Sequence, residues 1–117
     1  MEYNSLDKII NKKKEKLNLL KNKFKIEDLN YKIKKYNKYF DFKEKINSNL
    51  SEGKFSLIAE IKKASPSAGV IIKDYNPVTI AGIYEKNKAT CLSVLTEEDF
   101  FSGSLDHISK IKEQVNL

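Results

Sequence analysis

Phe55-Ser56-Leu57-Ile58-Ala59-Glu60-Ile61 is a compact apolar run with branched side chains, preceded by the break Ser51-Glu52-Gly53-Lys54. A run this short and this apolar carries the signature of a buried strand. A second run of the same kind, Cys91-Leu92-Ser93-Val94-Leu95, follows some thirty residues later. Between them, residues 64–77 are punctuated by Pro66, Gly69 and Pro77 and read as loop. Pro77 is placed to open a helix whose apolar stripe is Ile80, Ile83 and Tyr84, with Gly82 inside it costing about 1 kcal/mol relative to alanine. After the second run, Thr96–Gly103 reads as loop. Ser104 is placed to cap a helix carrying Leu105, Ile108 and Ile111, with Asp106 in its first turn. Strand, helix, strand, helix in that order predicts an α/β fold with two adjacent parallel strands.

Upstream, residues 1–50 read as a helical extension. Ser5 is the expected N-cap of a first helix, with Asp7 in its first turn and Leu6, Ile10, Leu17, Leu20 and Phe24 on one stripe. Ile26, Leu29, Ile33, Tyr36 and Phe40 step by three and four and predict a second amphipathic helix. Asp41 followed by Glu44 resembles a capping box for a third, carrying Phe42, Ile46 and Leu50. The domain expectation is therefore an extension over 1–50 and two βα units over 51–117. Two such units do not close a sheet, and a (β/α)₈ barrel takes about 250 residues. A third strand is expected to begin at Val115-Asn116-Leu117, so the sequence reads as a fragment.

Charge is unevenly spread over the 117 residues, whose net charge is +6. Residues 1–50 hold 14 lysines against seven acids, and residues 51–117 hold eight against nine. Every basic residue is a lysine. Arginine supplies the fork that reads guanine and grips phosphate, and lysine is a point charge, so the basic half reads as a solvated face and no nucleic-acid partner is expected. No apolar run reaches the ~18–20 residues that cross a bilayer, and the opening Met1-Glu2-Tyr3-Asn4-Ser5 lacks the apolar centre of a secretion signal, so no membrane partner is expected. The single cysteine, Cys91, excludes an intrachain disulfide and fits a reducing, cytoplasmic setting.

Two stretches carry candidate chemistry. In the first run Glu60 and Lys62 share one strand face while Ala59 and Ile61 share the other, at the end that opens onto the active site in a barrel. A carboxylate and an amine on one face of an apolar strand either satisfy one another or form part of a site. In the second, Thr96-Glu97-Glu98-Asp99-Phe100-Phe101 places three acids and two aromatics in a strand-to-helix loop. The acids read as a solvated tip. The two phenylalanines suggest either a wall against an apolar ligand or packing on a helix.

Leu57-Ile58-Ala59-Glu60-Ile61-Lys62-Lys63-Ala64-Ser65-Pro66-Ser67 closely resembles the first-strand signature of the indole-3-glycerol phosphate synthase family. Ser93-Val94-Leu95-Thr96-Glu97-Glu98-Asp99-Phe100-Phe101, with Gly103-Ser104-Leu105 after it, is similar to that family's second-strand loop, and Leu6-Asp7-Lys8-Ile9-Ile10 to its N-terminal extension. The resemblance implies the N-terminal portion of a (β/α)₈ TIM barrel with extra N-terminal helices. It implies a carboxy-lyase of tryptophan biosynthesis. The reaction closes the indole ring of 1-(2-carboxyphenylamino)-1-deoxyribulose 5-phosphate, releasing carbon dioxide and water. It implies a phosphorylated small-molecule substrate and no metal or organic cofactor. By the same resemblance Lys62 is a catalytic amine, Glu60 the carboxylate that orients it, Ser65 a substrate-binding hydroxyl, and Pro66 and Phe101 the apolar wall around the anthranilate ring. Ala68 stands where the family commonly has a basic residue, and Asn87-Lys88 replace small residues. The second essential lysine and later groups of the family would fall beyond Leu117. The expectation is a chain inactive alone, with a complementary C-terminal chain as a candidate partner. Another phosphate-binding barrel enzyme of the same pathway, a small basic binding module and a decayed gene product are the alternatives.

Overall fold

The structure is a computed structural model and describes residues 4–117, so the first three residues of the expected extension lie outside it. The chain divides into two compact units, Met1–Tyr39 and Phe40–Leu117.

In the first unit, helix α1 spans Ser5–Lys23. Its N-cap is Asn4, one residue before the expected Ser5: the Asn4 side-chain oxygen accepts from the Asp7 N–H at 2.9 Å, and Ser5 is already helical. Asparagine is as good a cap as serine, and its amide oxygen reaches the N–H three residues on. Helix α2 spans Ile26–Lys35, with Glu27 and Asp28 in its first turn and Lys32, Lys34 and Lys35 in its last, as the helix dipole favours. The expected stripe continued through Tyr36 to Phe40, but the helix stops at Lys35. Tyr36 turns extended, its ring meets that of Tyr39 edge-on at 5.0 Å, and the Tyr39 hydroxyl donates to the Ile33 carbonyl at 3.1 Å. That bond occupies a carbonyl which a longer helix would have used. No residue of α1 or α2 is buried.

The second unit opens with α3, Phe42–Ser51, capped by Asp41, whose carboxylate accepts from the Glu44 N–H at 2.8 Å. Of the three apolar residues of its expected stripe, Phe42 and Leu50 are exposed and Ile46 is partly covered, and it is Asn49 that turns in. The Asn49 amide donates to the hydroxyls of Ser56 at 3.1 Å and Thr90 at 3.2 Å. Thr90 is buried, and its hydroxyl also accepts from the Leu57 N–H at 2.9 Å. One asparagine and one threonine thus tie α3 to the start of both strands.

Strand β1 is Ile58–Ile61. The expectation began at Phe55, but Phe55 is fully exposed and only the last four residues join the ladder. The strand is also buried on one face and not on two. Ala59 and Ile61 are covered, while Ile58 and Glu60 are exposed. A short hairpin follows, strands β2 (Ala64–Ser65) and β3 (Gly69–Val70), antiparallel, in a stretch expected to be loop throughout. Helix α4, Pro77–Lys86, begins where Pro77 was expected to open it, with the Asn76 side chain accepting from the Val78 and Thr79 N–H groups. Strand β4, Cys91–Val94, pairs with β1 in parallel, Ile58 opposite Cys91 and Glu60 opposite Ser93. Helix α5 spans Asp106–Gln114. Ser104 supports its first turn, as its hydroxyl accepts from the Asp106 N–H at 3.3 Å.

The core lies between the strand pair and these two helices. Ile61, Ala81, Ile111 and Val115 form it, with Leu92, Val94 and Tyr84 packed around them. Parallel register puts Ala59 with Leu92 and Ile61 with Val94 on one sheet face, the face the helices cover. Glu60 and Ser93 fall on the other. Asn116 at the end of the unit is held to α4, its N–H donating to the Glu85 carboxylate at 2.8 Å. A cavity of about 670 Å³ lies against β4, lined by Phe42, Ser48, Leu92, Val94, Ile111 and Leu117 among others.

Candidate active site at the strand ends

Residues 60–63 leave β1 with their backbone held on both sides. The Ile61 carbonyl accepts from the Leu95 N–H at 3.0 Å, and the Lys63 carbonyl accepts from Ile71 at 2.8 Å and Ile72 at 3.3 Å. The Tyr84 hydroxyl, reaching over from α4, donates to the Glu60 carbonyl at 3.1 Å. The main chain that carries Glu60 and Lys62 is therefore clamped by β4, the hairpin and a helix.

On that frame strand alternation sends Glu60 and Lys62 to the same face, and their side chains meet: Lys62 Nζ lies 2.6 Å from a Glu60 oxygen. The pair is partly open, with the Lys62 side chain 30% and the Glu60 side chain 48% exposed. A pair this wet contributes at most about 1 kcal/mol to stability. It holds the amine in place while leaving it accessible to a charged ligand, so mutual satisfaction and a role in a site are both compatible with the geometry.

Ser65 and Pro66 lie at the hairpin that follows. The Ser65 hydroxyl accepts from the Ala68 N–H at 3.2 Å and lies 3.4 Å from the Ser67 hydroxyl. Serine followed by proline suits the first two positions of a tight turn, and Gly69 closes it at a φ of +65°, where a side chain would be strained. Phe101 lies in the loop after β4. Because the strands are parallel, this loop leaves from the same end of the sheet as the hairpin. Phe100 and Phe101 are both half-buried. The structure brings Glu60 and Lys62 into contact, and places Ser65, Pro66 and Phe101 on loops at that end of the sheet, held there by other bonds.

One residue of this loop was not legible as an organiser. Glu97 was grouped with the solvated acids, yet its carboxylate turns back onto the chain. It accepts from the N–H groups of Asp99 at 3.0 Å, Phe100 at 2.7 Å and Phe101 at 3.3 Å. The only sequence signal was an acid placed two to four residues ahead of those amides. Among the described residues no group of three or more His, Cys, Asp or Glu side chains is placed to hold a metal ion, and no helix is long and apolar enough to cross a membrane.

Parallel βα units with an amine and a carboxylate at the end of the first strand define an α/β chain of the kind that binds ligands beyond its strand ends. The sequence profile of indole-3-glycerol phosphate synthase matches residues 6–117. The chain belongs to the indole-3-glycerol phosphate synthase family. It is 43% identical to the indole-3-glycerol phosphate synthase of Trichodesmium erythraeum over 116 residues, which cover 97% of this chain and 38% of that protein. It is 46% identical to that of Aliarcobacter butzleri over 112 residues, 95% of this chain and 42% of the relative. Over 57 residues, 49% of this chain and 22% of the relative, identity to the Dehalococcoides mccartyi protein is 63%. The chain thus spans 38% and 42% of the length of the first two relatives.

Proposed function

We propose that this chain contributes the first part of an indole-3-glycerol phosphate synthase site in a (β/α)₈ barrel. There 1-(2-carboxyphenylamino)-1-deoxyribulose 5-phosphate would close to indole-3-glycerol phosphate with loss of carbon dioxide and water. The observation that carries the reading is the Lys62–Glu60 pair, open to solvent on the sheet face that the helices leave free. For the barrel the support is the parallel register of β1 and β4. Residues 1–50 are assigned to the helical extension and 51–117 to the first two βα units. A reducing, cytoplasmic setting is part of the proposal and rests on the unpaired Cys91 thiol.

Ring closure joins an aryl carbon to the carbon of a ketone, whose oxygen gathers negative charge and later departs as water. An ammonium near that oxygen stabilises the charge and supplies a proton. Lys62 is assigned this part, and Glu60 keeps the amine oriented. Ser65 is assigned a substrate hydrogen bond, and Pro66 and Phe101 flank the aryl ring, whose flat faces suit aromatic contact. One amine and one carboxylate do not supply all the proton transfers of decarboxylation and dehydration, so the 117 residues alone are proposed to be inactive, and a complementary C-terminal chain is the proposed partner.

The test supplies the C-terminal remainder of the Aliarcobacter butzleri relative as a second chain and follows indole-3-glycerol phosphate formation by fluorescence. The expected outcome is activity in the mixture only, and a loss of at least about a hundredfold in Lys62→Ala, the scale for an acid or charge-stabilising group. Lys63→Ala, one residue further on, is expected to cost far less, because it is Lys62 that pairs with Glu60. Full activity of the Lys62→Ala mixture overturns the assignment of Lys62, and activity of the isolated chain overturns the need for a partner.

A further inference from the structure

The loop that carries Phe101 is gripped from within by one side chain. The Glu97 carboxylate takes three consecutive backbone N–H groups, those of Asp99, Phe100 and Phe101, and the Glu97 carbonyl takes a fourth, from Gly103 at 2.8 Å. Bonds from N–H to a full negative charge are stronger than those to a neutral oxygen. Both ends of the carboxylate are used: Oε1 serves Asp99, and Oε2 serves Phe100 and Phe101. The far side of the loop is closed as tightly. Ser102 sits at a φ of +52°, and a Cβ on Gly103 would lie 2.2 Å from the Leu95 carbonyl oxygen. Leu95 in turn donates to the Ile61 carbonyl at 3.0 Å, one residue before Lys62. The Phe101 backbone is thus tied to Glu97, two residues after Leu95, which is itself bonded to the strand that carries the amine.

We propose that Glu97 is a positioning residue: it fixes the backbone of residues 99–101 so that the Phe101 ring is presented as a preformed wall to the aryl end of the ligand. The proposal rests on the reading of Phe101 as that wall. Without the carboxylate, three N–H groups turn to water and the loop samples many shapes, so the ring must be ordered anew each time a ligand binds, and affinity falls. Charge and shape separate cleanly here. Glu97→Gln keeps the length of the side chain and its Oε1 acceptor, but puts an NH₂ donor against the Phe100 and Phe101 N–H groups. Glu97→Ala removes both acceptors.

The experiment uses the 117-residue chain and N-methylanthranilate, a probe with the aryl ring, ortho carboxylate and secondary amine. Its fluorescence and the ring resonances of Phe101 are followed in titrations of the parent chain, Phe101→Ala, Glu97→Ala and Glu97→Gln, with amide exchange read in parallel. Phe101→Ala is expected to lose binding. Glu97→Ala is expected to weaken it at least about tenfold, with faster exchange confined to residues 99–101, and Glu97→Gln to fall between Glu97→Ala and the parent. A parent chain that does not bind the probe, or a Phe101→Ala chain that binds as well as the parent, overturns the aryl-wall reading. Loss of binding in Phe101→Ala with parent-like binding in Glu97→Ala and Glu97→Gln overturns the positioning role and leaves the wall standing. Should Glu97→Ala also lose protection in β1 and β4, the Glu97→Gln chain decides: parent-like binding there sinks the proposal, and binding weakened with β1 and β4 intact supports it.

Discussion

Ile58 and Ile61 are the same residue on the same four-residue strand, three positions apart and on opposite faces. Ile61 has no exposed surface, whereas Ile58 is 49% exposed. Replacing either by alanine removes three carbons. At about 0.8 kcal/mol for each buried carbon, full burial makes that loss about 2.4 kcal/mol at Ile61, and half burial makes it about 1.2 kcal/mol at Ile58. Ile61 adds a cavity penalty, because Ala81, Ile111 and Val115 around it relax only in part, which brings its cost to about 3–4 kcal/mol. At Ile58 water fills the space and no cavity forms. The intrinsic strand preference of isoleucine over alanine is common to both sites, so the difference of about 2 kcal/mol isolates the face. Urea unfolding of the two variants, followed by far-ultraviolet circular dichroism at 25 °C, measures it as a difference in midpoint at constant slope. Should Ile61→Ala fail to fold, Ile61→Val is expected to cost about 1 kcal/mol and serves in its place. Equal losses at the two positions, or a larger loss at Ile58, would refute the one-sided core and the alternation that sends Glu60 and Lys62 to the open face.

Thr90→Val keeps the shape of the side chain but removes the hydroxyl shared by the Leu57 N–H and the Asn49 amide. The expected cost is about 2 kcal/mol in the same unfolding assay, with α3 losing amide protection before β1, and an unchanged midpoint would contradict the role of this junction. Burial pushes the pKa of the Tyr75 hydroxyl and of the Cys91 thiol up, the latter opposed by the charge of Lys45. Both groups stay neutral in the folded chain at a pH where they ionise in the unfolded one. Their contribution is thus complete below the unfolded values, about pH 9 for the thiol and 10 for the phenol, and is lost as pH rises through the higher folded values. The unfolding midpoint should fall from pH 8 to 10.5, and less steeply in Tyr75→Phe. A parallel fall in both chains would count against the burial of Tyr75.

Much of this was written into local sequence. Pro77, and Asp41 three residues before Glu44, announce helix starts because a fixed φ or one side chain accepting one backbone N–H suffices to begin a helix. The strand pair was legible because each strand lies in a short, compact apolar run, and the contact of Glu60 with Lys62 follows from the period of two along the first. What failed to show depends on partners far away in the chain. Asn49 reads as an ordinary polar residue of a helix until Thr90 arrives beside it, 41 positions later. Leu50 was expected to pack and is exposed, because the inward direction of α3 is set by that junction. The hairpin was missed because two-residue strands have no period to detect, and Glu97 because an acid folding onto its own loop has the same composition as one in water.

The backbone on either side of Lys62 is tied down, through the Ile61 carbonyl to β4 and through the Lys63 carbonyl to the hairpin, which leaves the amine only its own side-chain torsions to move by. Such torsions relax in picoseconds to nanoseconds, whereas loops rearrange in nanoseconds to microseconds. Lys62 can therefore exchange Glu60 for another anion without waiting for the chain to open. Any slow step in loading this site belongs to the segments around it, and replacing Glu60 should alter how firmly the amine is held far more than how quickly it turns.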